Sequence, residues 1–214
     1  MPRRALIERR PWLLASMALA AASLWLHDPR TPGVYLMGLR AVPLWLLGIY
    51  ALLRHRGRDT RMLAGMLALA GAGSGLMLLF PLLGLNVLLF ANFIGLGLFL
   101  AHRRLDPDAA HRVGAGALVL LVPALCFYAA SRAGTSVPIF FGLSLGGMAA
   151  AAWISTFPQG RVGAGAVVIV FGSVLGLADS GGVAAVLGWG LFYLGNLVLA
   201  TGVTGELRLR EEFG

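Results

Sequence analysis

The apolar positions of this chain run on rather than alternate. Eight stretches are almost continuously hydrophobic: 12–26, 34–53, 62–80, 82–101, 113–130, 137–154, 162–178 and 183–203. A hydrocarbon core of ~30 Å takes about 17 to 25 helical residues per crossing, and the runs have that length or fall just short. The first is short and is extended by Pro11 and His27. Strands of a membrane barrel would alternate apolar and polar positions; these runs do not. Pro81, "SRAGTS" and "ADSGG" supply breaks between them. The pattern predicts an all-α polytopic membrane bundle of eight transmembrane helices, one domain over residues 1–214.

Composition agrees. The chain is 58% hydrophobic and only 12% charged, with mean hydropathy +0.83. A soluble domain carries about 25% charged residues, so half of that solvating surface is missing. The net charge of +8 could point to nucleic acid. Its arginines, however, sit in short clusters between apolar runs, which reads as a topology signal. With an even number of spans, both termini share a side with "RHRGRDTR", "HRRLDPDAAHR" and "FPQGR". Fourteen arginines fall on that side, against only Arg30 and Arg132 on the other. Both termini are therefore expected in the cytoplasm. The N-terminal stretch imitates a signal peptide, with an Ala18-Leu19-Ala20 site, but its apolar run continues to Leu26 and is read as a retained first helix. The single cysteine, Cys126, lies inside an apolar run and excludes a disulfide framework.

Two internal patterns bear on packing. "RVGAGALVLLV" from Arg112 and "RVGAGAVVIVF" from Arg161 repeat at about one helical hairpin, with a looser copy from Arg61. Duplicated hairpins explain this; so does chance in a chain this rich in Ala and Gly. Gly71/Gly75, Gly142/Gly146 and Gly172/Gly176 are small-xxx-small pairs that let helix backbones approach.

Polar residues inside the spans are the candidate chemistry. Counted at 1.5 Å per residue from the nearest cytoplasmic arginines, Ser74, Ser173, Asn196 and Arg40 fall ~18–21 Å deep. Asn86 and Asn92 lie at or near that layer. A charge within a span costs ~2.5–3.5 kcal/mol and normally faces the bundle interior or water. Arg40 therefore either faces inward, beside the packing residues Gly38 and Pro43, or snorkels to the outer headgroups. His102 closes span four at the arginine-rich side, ~20 Å from both serines. That is far beyond the ~2.6–3.2 Å a serine nucleophile needs from its base. No ligand spacing links it to His55 or His111, and it is read as an interfacial anchor.

The order of these features resembles the YhhN/lysoplasmalogenase family, eight-helix membrane proteins that hydrolyse the vinyl-ether bond of lysoplasmalogens. The resemblance rests on Arg40 with Pro43, Gly73-Ser74, "GLGLFLAH" (Gly95 to His102), "GAVVIVFGS" (Gly165 to Ser173) and "FYLGN" (Phe192 to Asn196), over roughly residues 35 to 203. It implies a lysophospholipid-type lipid as partner, held by Arg40, Ser74, Ser173, Asn196, Tyr193 and Asn92, in a bacterial inner membrane. No cofactor, metal or nucleic acid is expected, and the oligomeric state stays open. Both family aspartates fall on Ser74 and Ser173, and serine cannot replace a carboxylate as general acid or base near pH 7. The nearest carboxylates are Asp179 and Asp28, at the outer ends of spans seven and one. Two readings follow. One is a lysoplasmalogenase-like hydrolase using Asp179 and Asp28. The other is a non-catalytic relative that binds, moves or senses a lipid, or pairs with another membrane protein.

Overall fold

A computed structural model of the chain describes residues 3–26, 33–135, 139–178 and 182–213, with side chains for 11–212 of these. Its helices are α1 (Arg3–Trp25), α2 (Gly33–Arg54), α3 (Arg58–Leu76), α4 (Pro81–Ala101), α5 (Ala109–Arg132), α6 (Ile139–Trp153), α7 (Ala164–Ala178) and α8 (Val183–Phe213). A π-helical turn, Gln159–Gly163, leads into α7. Each apolar run overlaps one helix, and among the described residues there is no strand. Among the described residues, five helices are long and apolar enough to cross a membrane: α2, α4, α5, α7 with its π-turn, and α8. The apolar part of α1, Pro11–Trp25, and α6 are shorter.

Local chemistry sets the ends. Pro81 opens α4 at its first turn, where its missing N–H removes no hydrogen bond. Proline also disfavours helical backbone at the residue before it, and Phe80 sits at φ −134°, ψ 75°. Here the structure corrects the expected third span, 62–80: residues 77–80 form a turn, not helix. Asp108 caps α5, its carboxylate accepting from the His111 N–H at 2.8 Å. At the far end of α5, Gly134 takes φ +66°, and the Thr135 N–H returns to the Ala130 carbonyl at 3.0 Å. This is the left-handed glycine stop common at helix ends.

Consecutive helices pack antiparallel as α2–α3–α4, α5–α6 and α7–α8; α8 closes back onto α2, and α1 lies against α2 and α8. All three glycine pairs serve these contacts. A methyl at Gly71 would lie 2.8 Å from the Ala41 carbonyl oxygen, and one at Gly75 2.7 Å from that of Met37. Gly142 meets Pro123 and Gly146 the Leu118 carbonyl, while Gly172 faces Gly188 and Phe192. Gly176 contributes only its backbone, which lies against Gly188. Helices without water between them have no hydrophobic reason to associate, so close backbone contact supplies the attraction. The outer faces stay apolar and bare: Phe90, Phe127, Phe140 and Phe171 are each at least 60% exposed. Patches of that kind are normally covered, here by lipid chains.

Candidate functional site

The helix register locates the polar residues. On α2, Leu44, Leu47 and Ala51 are completely buried. Arg40 stands four, seven and eleven residues before them, on the same inward stripe. It is half-buried and makes no hydrogen bond or ion pair through its side chain among the described residues. Ser74 donates to its own helix at the Gly71 carbonyl (2.9 Å) and approaches the Arg40 carbonyl at 3.4 Å. These two share a depth, as expected.

The rest of the expected layer divides. On α8, Gly202 packs against Arg161 and Val162, a methyl there lying 2.9 Å from the Arg161 β-carbon. Arg208 therefore continues six residues beyond the level of Arg161, and depths counted from the two are not comparable. Asn196 lies only about 9 Å from the Arg161 level, half the depth of Ser173. On α4, Gly73 faces Leu88 and Gly95 faces Met66. That register sets Asn92 level with Leu69, roughly 8 Å nearer the arginine-rich end than Ser74. Asn86 is level with Ser74 but exposed, donating to the Leu82 carbonyl of its own helix. The single layer is thus two levels, because α8 and α4 are offset along the bundle axis.

None of the six expected binding residues hydrogen-bonds another side chain to side chain. Asn92 donates to Ser144 Oγ at 3.3 Å, joining α4 to α6. Tyr193 shares a 2.7 Å hydrogen bond with Ser16 Oγ, and Ser16 also reaches the Pro43 carbonyl at 2.7 Å. Ser16 thereby ties α1, α2 and α8 at one point. Asn196 donates to the Phe192 carbonyl at 2.8 Å while its buried Oδ1 has no partner among the described residues. Ser173 is half-buried and makes no hydrogen bond through its side chain among the described residues. Asp179 and Asp28 lie outside the described residues.

Trp189, which the sequence did not single out, matters here. Its indole stacks on Tyr193 at 5.9 Å between ring centroids, and its buried Nε1–H has no partner among the described residues. A buried polar group left unpaired costs about 1–3 kcal/mol. Helices α2 and α8 run in the same direction and meet through Pro43, Ser16 and Tyr193. Arg40 is three residues before Pro43 and Trp189 four before Tyr193, so both donors stand ~5–6 Å to the same side of that junction. Depth counting had no means to find Trp189. The spacing Trp189, Tyr193, Asn196 on one face of α8 was the available signal.

The arginine-rich end is built more elaborately than an interfacial anchor requires. His102 Nε2 lies 3.0 Å from Asp59 Oδ2, and its ring packs edge-on against Phe157, which is fully buried. Arg104 donates to the Ser155 carbonyl and Arg210 to Thr156, while His55 pairs with Glu211 at 3.0 Å. Three loops and the tail of α8 are joined there. Among the described residues no group of three or more His, Cys, Asp or Glu could hold a metal. No protein-family model, curated protein or solved structure matches the chain.

Proposed function

We propose that the chain is an eight-span protein of a bacterial cytoplasmic membrane, both termini inside, that binds a lysophospholipid-type lipid through its phosphate. One observation carries this reading. Arg40 and Trp189 present two hydrogen-bond donors, neither with a partner among the described residues, at one level of adjoining helices. A guanidinium forks onto phosphate oxygens, and an indole N–H donates to one more. The lipid chain would then lie along the apolar faces of α2 and α8. This site lies toward the end of the bundle opposite His102, which suits a lipid of the outer leaflet.

Binding rather than hydrolysis is the better-supported half of the resemblance. Cleavage of a vinyl ether begins with protonation at carbon and needs an acid. The described residues at that level offer hydroxyls, an indole and a guanidinium, and the carboxylates left to the hydrolase reading are Asp179 and Asp28.

The test uses the full chain in nanodiscs with an ethanolamine lysoplasmalogen. Arg40→Met should weaken retention at least tenfold and Trp189→Phe several-fold, with thermal stability nearly unchanged. Unchanged retention in Arg40→Met would defeat the proposal. If Arg40 instead pairs with Asp179, Asp179→Asn should strand a buried charge and destabilise by about 3–5 kcal/mol. Aldehyde release by the wild type that disappears in Asp179→Asn would restore the hydrolase reading.

A further inference from the structure

A cleft lies at the arginine-rich end, far from Arg40. It has a volume of about 320 Å³ and opens between the start of the α7 segment and the last turns of α8, with Arg54 of α2 on its wall. Three guanidinium groups line it, from Arg54, Arg161 and Arg208, against two carboxylates, Glu206 and Glu212.

Both carboxylates are already engaged. Glu206 accepts from Arg210 Nε at 3.1 Å, and Glu212 from Arg208 at 2.9 Å. Arg54 donates to the hydroxyl of Tyr50, one turn earlier on its own helix. Arg161 differs: it is exposed to the cleft and makes no hydrogen bond or ion pair through its side chain among the described residues. The cleft floor also lacks side chains where it matters. A β-carbon at Gly205 would meet no atom within 4 Å, so the α8 backbone is open to an incoming group there. Pro158 and Arg161, at the start of the helical segment that begins at Gln159, line the same space. The dipole of that segment favours a negative charge at its start.

We infer that this cleft binds a phosphate group, with Arg161 as its principal ligand and Arg54 and Arg208 flanking. A guanidinium with free N–H donors and a helix start on one side, over a glycine floor, is chemistry for a tetrahedral oxyanion. The phosphate can come from an anionic lipid headgroup at the membrane surface or from free phosphate in solution. The site is separate from the one assigned to Arg40, and neither depends on the other.

Thermal unfolding of the full chain in detergent tests this, with inorganic phosphate compared against chloride at equal ionic strength. A ligand that binds only the folded state raises the melting temperature as its concentration passes its dissociation constant. Phosphate should raise the melting temperature where chloride does not. Arg161→Gln, at an exposed position, should shift that response to at least tenfold higher phosphate. Gly205→Leu, whose β-carbon would meet no atom within 4 Å, places a side chain over the open floor and should abolish the response while the protein remains folded. Dihexanoyl phosphatidic acid, soluble as a monomer, distinguishes the sources. Stabilisation at a tenfold lower concentration than phosphate assigns a lipid headgroup, and equal potency assigns free phosphate. The inference is overturned if neither probe shifts the melting temperature relative to chloride. It is also overturned if Arg161→Gln and Gly205→Leu respond as the wild type does.

Discussion

His102 Nε2 lies 3.0 Å from Asp59 Oδ2, so the end of α4 is fastened to the first turn of α3. The pair is partly sheltered, with side-chain exposures of 23% and 30%, and the imidazole rests edge-on against Phe157. A partly exposed pair contributes up to ~1 kcal/mol, and an edge-to-face ring contact ~0.5–1.5 kcal/mol. His102→Ala should therefore destabilise by about 1–2 kcal/mol. His102→Gln keeps a donor for Asp59 and should lose mainly the ring contact. A double-mutant cycle with Asp59→Asn should show a coupling of about 0.5–1 kcal/mol. Lysophospholipid retention should not change in any of these variants. A loss of retention with folding intact would give His102 a functional role.

That pair also shows what the sequence could and could not convey. The position of His102 at a helix end was legible, because a long apolar run stops there against two arginines. Its partner was not, since Asp59 is 43 residues away in sequence and only packing brings them together. The apolar runs found all eight helices, and the glycine pairs found real close contacts. Depth along each helix was readable too. Depth between helices was not, because it depends on the stagger of α8 and α4 against their neighbours. That stagger moved Asn196 and Asn92 out of the layer of Arg40 and Ser74. Trp189 and Ser16 went unnoticed for a related reason: an indole and a lone serine in an apolar run look like packing until a partner, or its absence, is seen.

The topology proposed from the arginine distribution can be checked by labelling. Cys126 is buried, and Cys126→Ala gives a cysteine-free background. Single cysteines at Arg56 and Asp106 should react with an impermeant maleimide only from the cytoplasmic side. One at Thr135, which is exposed between α5 and α6, should react only from outside. Labelling of position 135 from the cytoplasm would reverse the assignment of inside and outside.

Asp108 gives a pH dependence with a defined sign. The backbone N–H of His111 first, and then its side chain, hold the Asp108 carboxyl below the ordinary aspartate value. A depressed carboxylate pKa favours the folded cap wherever the unfolded chain would be ionised, above about pH 3.9. The contribution fades as pH falls through the lower folded value. The protection of the first-turn amides of α5, measured relative to their intrinsic exchange rates, should hold down to about pH 4 and fall below it. In Asp108→Asn the acid-induced step should vanish. An acid step that survives that substitution would assign it to another group.

The repeated segment has a physical consequence at Trp153. Gly114 and Gly163 are the third residues of the two "RVGAGA" copies, and both face this one indole from different helices. A methyl at 114 would lie 2.6 Å from Trp153 Nε1, and one at 163 would lie 3.2 Å from its Cε3. Duplication and chance both allow the repeat, but either way the indole leaves no room for a side chain at 114 and little room at 163. Forcing an extra carbon into such a contact costs about 1–3 kcal/mol. Gly114→Ala should show that loss in thermal or denaturant unfolding. Gly163→Ala should cost less, since its neighbour need give only a few tenths of an ångström. Replacing the indole by Trp153→Leu removes the obstacle. In that background Gly114→Ala should become neutral or stabilising, because alanine favours helix over glycine by ~1 kcal/mol. If Gly114→Ala costs the same with and without the indole, close packing on Trp153 is not what keeps that position glycine.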